Sequence, residues 1–206
     1  VFEMSYTAES ITRLSGFRVE VESDDNFQSP CGDWDMVGTM VLSDRCRYNF
    51  GHETASNDEI AAINNDPNNL AIPVYMYDHS GITINTTGFS CPWDSGQVGI
   101  MYCTKKKAVH EFGKKICTKK VVEKALRAMI GEVKTVDDVI TGNVWGFIVY
   151  NPEGEWIDSC WGFIGDSKYC LEEGLSAVEC YEKQAAKEHA EAAYWVAREV
   201  VTEARP

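Results

Sequence analysis

The eight cysteines (Cys31, Cys46, Cys91, Cys103, Cys117, Cys160, Cys170 and Cys180) include no C-x-x-C pair. Zinc ribbons and fingers use such close ligand pairs, so no structural zinc of that kind is expected. No run approaches the roughly 18 apolar residues of a membrane span. Val1–Ser10 has no basic region followed by an apolar run, so no secretory signal is read there. The expectation is a cytoplasmic chain with reduced cysteines, mostly buried as small hydrophobes. There is no G-x-x-x-x-G-K-[ST] and no strand-linked G-x-G-x-x-G, so neither phosphate-binding loop is present. The stretch from Asp24 to Asp35 lacks the glycine and terminal glutamate of an EF-hand in register. The four histidines (His52, His79, His110 and His189) are far apart in sequence. No metal and no cofactor are therefore expected.

Basic residues are also scarce. The 206 residues hold 19 Lys and Arg against 32 Asp and Glu, a net of −13. Direct nucleic-acid binding needs clustered cations that displace counterions, and this chain has the wrong sign. A polybasic membrane-surface role fails for the same reason. The imbalance is uneven: residues 1–100 carry 4 basic and 15 acidic residues, and residues 101–206 carry 15 and 17. One meaning of such acidity is solubility. The sharper meaning is an acidic face for a basic partner, formed by Asp24, Asp25, Asp33, Asp35, Asp44, Glu53, Asp58 and Glu59.

What is present is enough apolar residue for a folded core, with hydrophobic residues at 44%. Gly16–Glu22 alternates as a strand, and Asp24–Asp35 reads as an acidic loop. Met36–Leu42 is a second strand. Ser43–Leu70 is a long polar loop holding one short helix at Asp58–Ile63. Asp78-His79-Ser80-Gly81 is turn chemistry between two strands and predicts a hairpin over about 71–87. Gln97–Cys103 is another strand. Lys105–Phe112 predicts a short helix. Thr118 caps a longer one that ends near Gly131, and Thr135 caps a third that Gly142 stops. Asn151-Pro152-Glu153-Gly154 predicts a hairpin over about 144–164. By period two, Trp145 with Phe147 and Trp161 with Phe163 share a face of that hairpin. Asp166 then opens a long C-terminal helix that Gly174 bends or divides. The order gives an α+β fold with a mostly antiparallel sheet, central helices and a single domain, extended by helix from about residue 167.

Two constellations could carry chemistry. Cys91 with His79, and Asp94 or Asp78, has the residue types of a thiol hydrolase. Pro92 and Trp93 follow Cys91, however, where a helix start would lower a thiol pKa. The structural reading of Phe89–Gly99 is a compact loop. Lys105–Lys107, Lys114-Lys115 and Lys119-Lys120 form the one basic cluster, read as solvated helix faces.

Tyr77-Asp78-His79-Ser80-Gly81-Ile82-Thr83, then Phe89-Ser90-Cys91-Pro92-Trp93-Asp94-Ser95-Gly96-Gln97-Val98-Gly99, then Asp158-Ser159-Cys160-Trp161-Gly162-Phe163, resemble a family of uncharacterised proteins encoded by phages and mobile elements. Trp34-Asp35, Gly38-Thr39-Met40 and Arg47-Tyr48-Asn49 fit it too. The similarity spans roughly Trp34 to Glu173. The family brings no established activity, so the resemblance gives no residue a role. It implies a context: small acidic phage proteins often bind and block a host protein that handles nucleic acid. Some do so by imitating DNA phosphates, as anti-restriction and anti-CRISPR proteins do. The partner expected is a host nuclease or nucleic-acid-binding defence protein with a basic groove, met in the host cytoplasm. The alternatives are the thiol hydrolase and a protein that sequesters a nucleotide signal, which needs a pocket with convergent polar groups.

Overall fold

Alternation of apolar and polar residues makes the strands, and two long apolar stripes make the helices that cover them. The computed structural model describes residues 7–25 and 29–203. The chain folds as α+β, in the order β1 (Thr7–Thr12), β2 (Arg18–Ser23), α1 (Pro30–Asp33), β3 (Thr39–Ser43), β4 (Glu53–Ala55), α2 (Asn57–Asn65), β5 (Asn69–Asp78), β6 (Ile82–Asn85), β7 (Ser95–Thr104), α3 (Lys105–Glu111), α4 (Lys119–Ile140), β8 (Val144–Tyr150), β9 (Trp156–Ile164) and α5 (Ser167–Glu203). The strands divide into two sheets. Two compact units result: unit 1 is Val1–Asp25 with Val144–Pro206, and unit 2 is Asn26–Asn143. Where the sequence reading has one domain, the two chain ends combine in unit 1 and the middle of the chain makes unit 2.

Unit 1 holds the sheet β1-β2-β8-β9, antiparallel throughout. The predicted hairpin is β8–β9, and its turn ends on Gly154 at φ +83°, a backbone position that suits glycine. Val19, Val21, Phe147 and Val149 project from one face of the sheet against Cys170, Leu171 and Val178 of α5. Each such side chain, once buried, contributes about 1.5–3 kcal/mol. Gly174 does not divide α5, which is one helix. A Cβ on Gly174 would stand 2.7 Å from Val19 Cγ1, so the glycine lets the helix lie close on the sheet. The side chains of residues 186–198 are exposed. Trp161 departs from the period-two expectation. The register shifts by one between Trp145–Phe163 and Gly146–Trp161, with Gly162 at φ +85°. That bulge moves Trp161 onto Gly146 and away from the face of Phe147 and Phe163.

Unit 2 holds the sheet β4-β3-β7-β5-β6, in which only β3–β4 is parallel. The predicted hairpin of about 71–87 is β5–β6. Its inner face carries Met40, Leu42, Val74 and Met101 against Val121, Ala125, Met129, Val133 and Val136 of α4. This stripe explains a correction. The two helices expected between Thr118 and Gly142 are one, because the stripe runs unbroken past Gly131. Thr135 Oγ1 donates back to the Gly131 carbonyl at 3.1 Å and does not cap a new helix. Within the polar stretch after Ser43, Ser56 and Glu59 form a capping box that starts α2. Among the described residues, no helix is long and apolar enough to cross a membrane.

All eight cysteines are free thiols, but only Cys31, Cys103 and Cys170 are buried. Burial pushes the Cys31 thiol up to about 11 and the Cys170 thiol to about 12. Cys117, Cys160 and Cys180 are exposed. A thiol reagent at pH 8 should therefore label those three in the folded protein and reach the buried three only after unfolding. Peptide mass spectrometry of the labelled protein checks this; fast native labelling of Cys170 would contradict it.

Candidate functional site

The Asp78–Gly81 turn and the loop after β6 meet in unit 2. Ser80 carries φ +60°, the one described non-glycine residue with positive φ. It closes a tight turn in which His79 N–H donates to the Gly81 carbonyl at 3.0 Å. Asp78 N–H donates to the Asp94 carbonyl at 2.8 Å and ties turn to loop. Tyr77 packs against both Phe89 and His79, with ring centroids 5.7 and 6.0 Å away.

The turn and loop bring Cys91, His79 and Asp94 together, but in the wrong order for a thiol hydrolase. Cys91 Sγ reaches Asp94 Oδ2 at 3.8 Å, and His79 Nδ1 faces the same oxygen at 3.3 Å. The carboxylate stands between thiol and ring. A Cys–His nucleophile needs the imidazole beside the sulfur, with the carboxylate behind it. Asp78 is engaged elsewhere: its Oδ2 accepts from Arg47 Nη2 at 2.7 Å and from the Tyr48 hydroxyl at 3.0 Å. That bond to Asp78 is also the main reason the Tyr48 hydroxyl titrates above its ordinary range.

The acidic candidates are split between the units. Asp24 and Asp25 belong to unit 1, and the other six to unit 2. Asp35, Asp44, Glu53, Asp58 and Glu59 are exposed, and Asp24 is half-buried. The Asp33 side chain lies outside the described residues. Glu59 serves its own helix: hydrogen bonds from the Ser56 side chain and backbone hold its carboxyl below the usual range. The folded units also redraw the charge map. Unit 1 has 18 acidic and 7 basic residues, a net of −11. Unit 2 has 14 and 12, a net of −2. Most of the acidity in unit 1 comes from after residue 143, including exposed Glu172, Glu173, Glu179, Glu188 and Glu191 on α5.

Sequence reasoning missed a groove in unit 2. Three depressions of about 330, 270 and 320 Å³ adjoin through shared walls. Residues 95–100 of β7 run beneath all three. Asn57 and Asn64 of α2 flank one end, Arg45 and Arg47 the middle, and Trp93 the other end. One signal was available: Arg45 and Arg47 are the only basic residues between positions 26 and 104.

His52 Nδ1 accepts the Met40 N–H at 2.9 Å, so this ring is a neutral structural acceptor. Burial, then Lys107, lowers its pKa, against a smaller opposing effect of Glu53. Among the described residues, no group of three His, Cys, Asp or Glu could hold a metal ion. Compared with family models, with curated proteins and with solved structures, the chain shows no match.

Proposed function

We propose that the protein is an acidic, non-catalytic binding protein of phage type that blocks a host nucleic-acid-targeting defence complex. It occupies a basic groove meant for DNA or RNA, and acts in the host cytoplasm. The observation that carries the reading is the charge partition, −11 on unit 1 against −2 on unit 2. A surface of one sign speeds encounter with a surface of the opposite sign, and such steering weakens with salt. The Cys91–Asp94–His79 order supports a non-catalytic role. The phage-like motifs supply the context. Relative to the sequence reading, Asp24 and Asp25 stay within the proposed contact surface, and the rest of it moves from Asp33, Asp35, Asp44, Glu53, Asp58 and Glu59 of unit 2 to the carboxylates of unit 1.

The test starts with capture of partners from host extract by the immobilised protein. Each nuclease or nucleic-acid-binding protein recovered is then assayed for inhibition. Glutamine at Glu172, Glu173, Glu179, Glu188 and Glu191 together should slow association about tenfold or more at low salt. Glutamine is a good helix former, so α5 should persist. The same change at Asp44, Glu53 and Asp58 should do less. Inhibition that survives the α5 changes intact, or extracts in which no captured nuclease or nucleic-acid-binding protein is inhibited, would sink the reading.

A further inference from the structure

The acidic surface leaves the unit 2 groove unexplained, and its chemistry points to a different ligand. We propose that the groove over β7 binds a mononucleotide, with the phosphate between Arg45 and Arg47 and the base on Trp93.

The argument begins with the arginines. In a chain of −13, residues 26–104 hold two basic side chains, and both line one groove. Arg47 is held in place by Asp78 at 2.7 Å, with its guanidinium 5.7 Å from the Tyr48 ring centroid. Arg45 is exposed, and its guanidinium has no carboxylate partner among the described residues. Asp78 and Asp94 both line the groove, Asp78 paired with Arg47 and Asp94 facing His79 Nδ1 at 3.3 Å, so Arg45 is the cation there without an ion-pair partner among the described residues, and both guanidiniums add planar N–H donors. That suits a single phosphate, whose oxygens the guanidinium forks match in bidentate fashion. A nucleic-acid strand is a poor candidate, since the rest of the chain repels it.

Trp93 supplies the second half. It is 90% exposed, yet it walls the same depression as Arg47. A bare indole beside a guanidinium is a stacking surface for a planar ring, and stacking tolerates any base. The amides can read the remaining polar edges. Asn57 Oδ1 accepts from Ser43 Oγ at 2.8 Å, which leaves its Nδ2 donors for a ligand. Gln97 Nε2 donates to the Gly99 carbonyl at 3.1 Å, which leaves its Oε1 as an acceptor. The start of α2 is not the anion site, because Glu59 already occupies it. Each depression alone is near the lower size limit of ligand pockets, roughly 300 Å³, and their continuity suits a ligand with two chemically different ends.

The site is independent of the proposed inhibitor surface, and its test is separate. Purified protein is titrated calorimetrically with AMP, adenosine and ribose 5-phosphate, with GMP and UMP beside AMP. AMP should saturate one site and bind more tightly than either fragment. Arg45→Gln should weaken AMP about tenfold or more while leaving adenosine unchanged. Trp93→Ala should weaken AMP and adenosine but not ribose 5-phosphate. Both side chains are exposed, so unfolding temperatures should match the unaltered protein. The proposal is overturned if none of the three nucleotides saturates by about 5 mM. It is equally overturned if ribose 5-phosphate binds as tightly as AMP, or if both variants bind AMP normally.

Discussion

Gly99→Ala destabilises unit 2 by about 3 kcal/mol or more, at the upper end of what overpacking costs. Gly99 lies in β7, the middle strand of five, paired with Leu42 on one side and Val74 on the other. A Cβ there would stand 2.2 Å from the Val41 carbonyl oxygen and 3.0 Å from Leu42 Cα. Both are backbone atoms of β3, so no side chain can rotate away. Relief requires β3 and β7 to separate, which breaks the ladder over a fully buried core of Met40, Leu42 and Met101. Gly96→Ala is the control, because nothing lies within 4 Å of its added Cβ. Urea unfolding followed by circular dichroism measures both. A Gly99→Ala midpoint equal to that of Gly96→Ala would show that the strands are not packed this way.

Glu132→Ala costs about 3 kcal/mol through lost hydrogen bonds to charge and stranded donors. The side chain projects from α4, where Oε1 accepts the Val37 N–H at 2.6 Å and Oε2 the Gly38 N–H at 2.9 Å. This carboxylate fixes how the chain enters β3. Gly38 is equally constrained, since a Cβ on it would lie 2.6 Å from Met101 Cγ. Removing the carboxylate leaves two part-buried backbone donors without partners. Glu132→Gln keeps an acceptor for one of them and should lose less than the alanine variant. Equal loss in both variants, read from the same urea titrations, would refute the bidentate role.

The sequence made local chemistry legible and left distant pairing hidden. Asn151-Pro152-Glu153-Gly154 and Asp78–Gly81 announced their hairpins because turn residues act within four positions. The helix over Thr118–Gly142 was misjudged for the same reason. Gly131 and Thr135 are local stop and start signals, and the continuous stripe facing Met40 and Met101 overrides them. Nothing local says that β2 pairs β8, or that the strands sort into two sheets. For the candidate site, residue types were visible and order was not. The sequence offers Cys91, His79 and Asp94 as residue types, and only coordinates place the carboxylate between the other two. The groove is not legible in the sequence because its walls come from α2, two loops, β3, β5 and β7, which meet only in the fold.

The pairing of β2 with β8 also has a consequence for synthesis. Val19 aligns with Val149, 130 positions later, and Asp24 N–H donates to the Val144 carbonyl at 2.8 Å where the chain returns. At roughly 5–20 residues per second, the ribosome takes about 6–26 s to deliver that partner. During this interval β1 and β2 are made but β2 has one edge open, and two-stranded ribbons are marginal alone. Unit 2 has its whole sequence available before β8 exists. The nascent chain therefore completes its middle before its beginning, and the waiting β2 edge is the point at which a slow ribosome or a crowded polysome would invite mispairing.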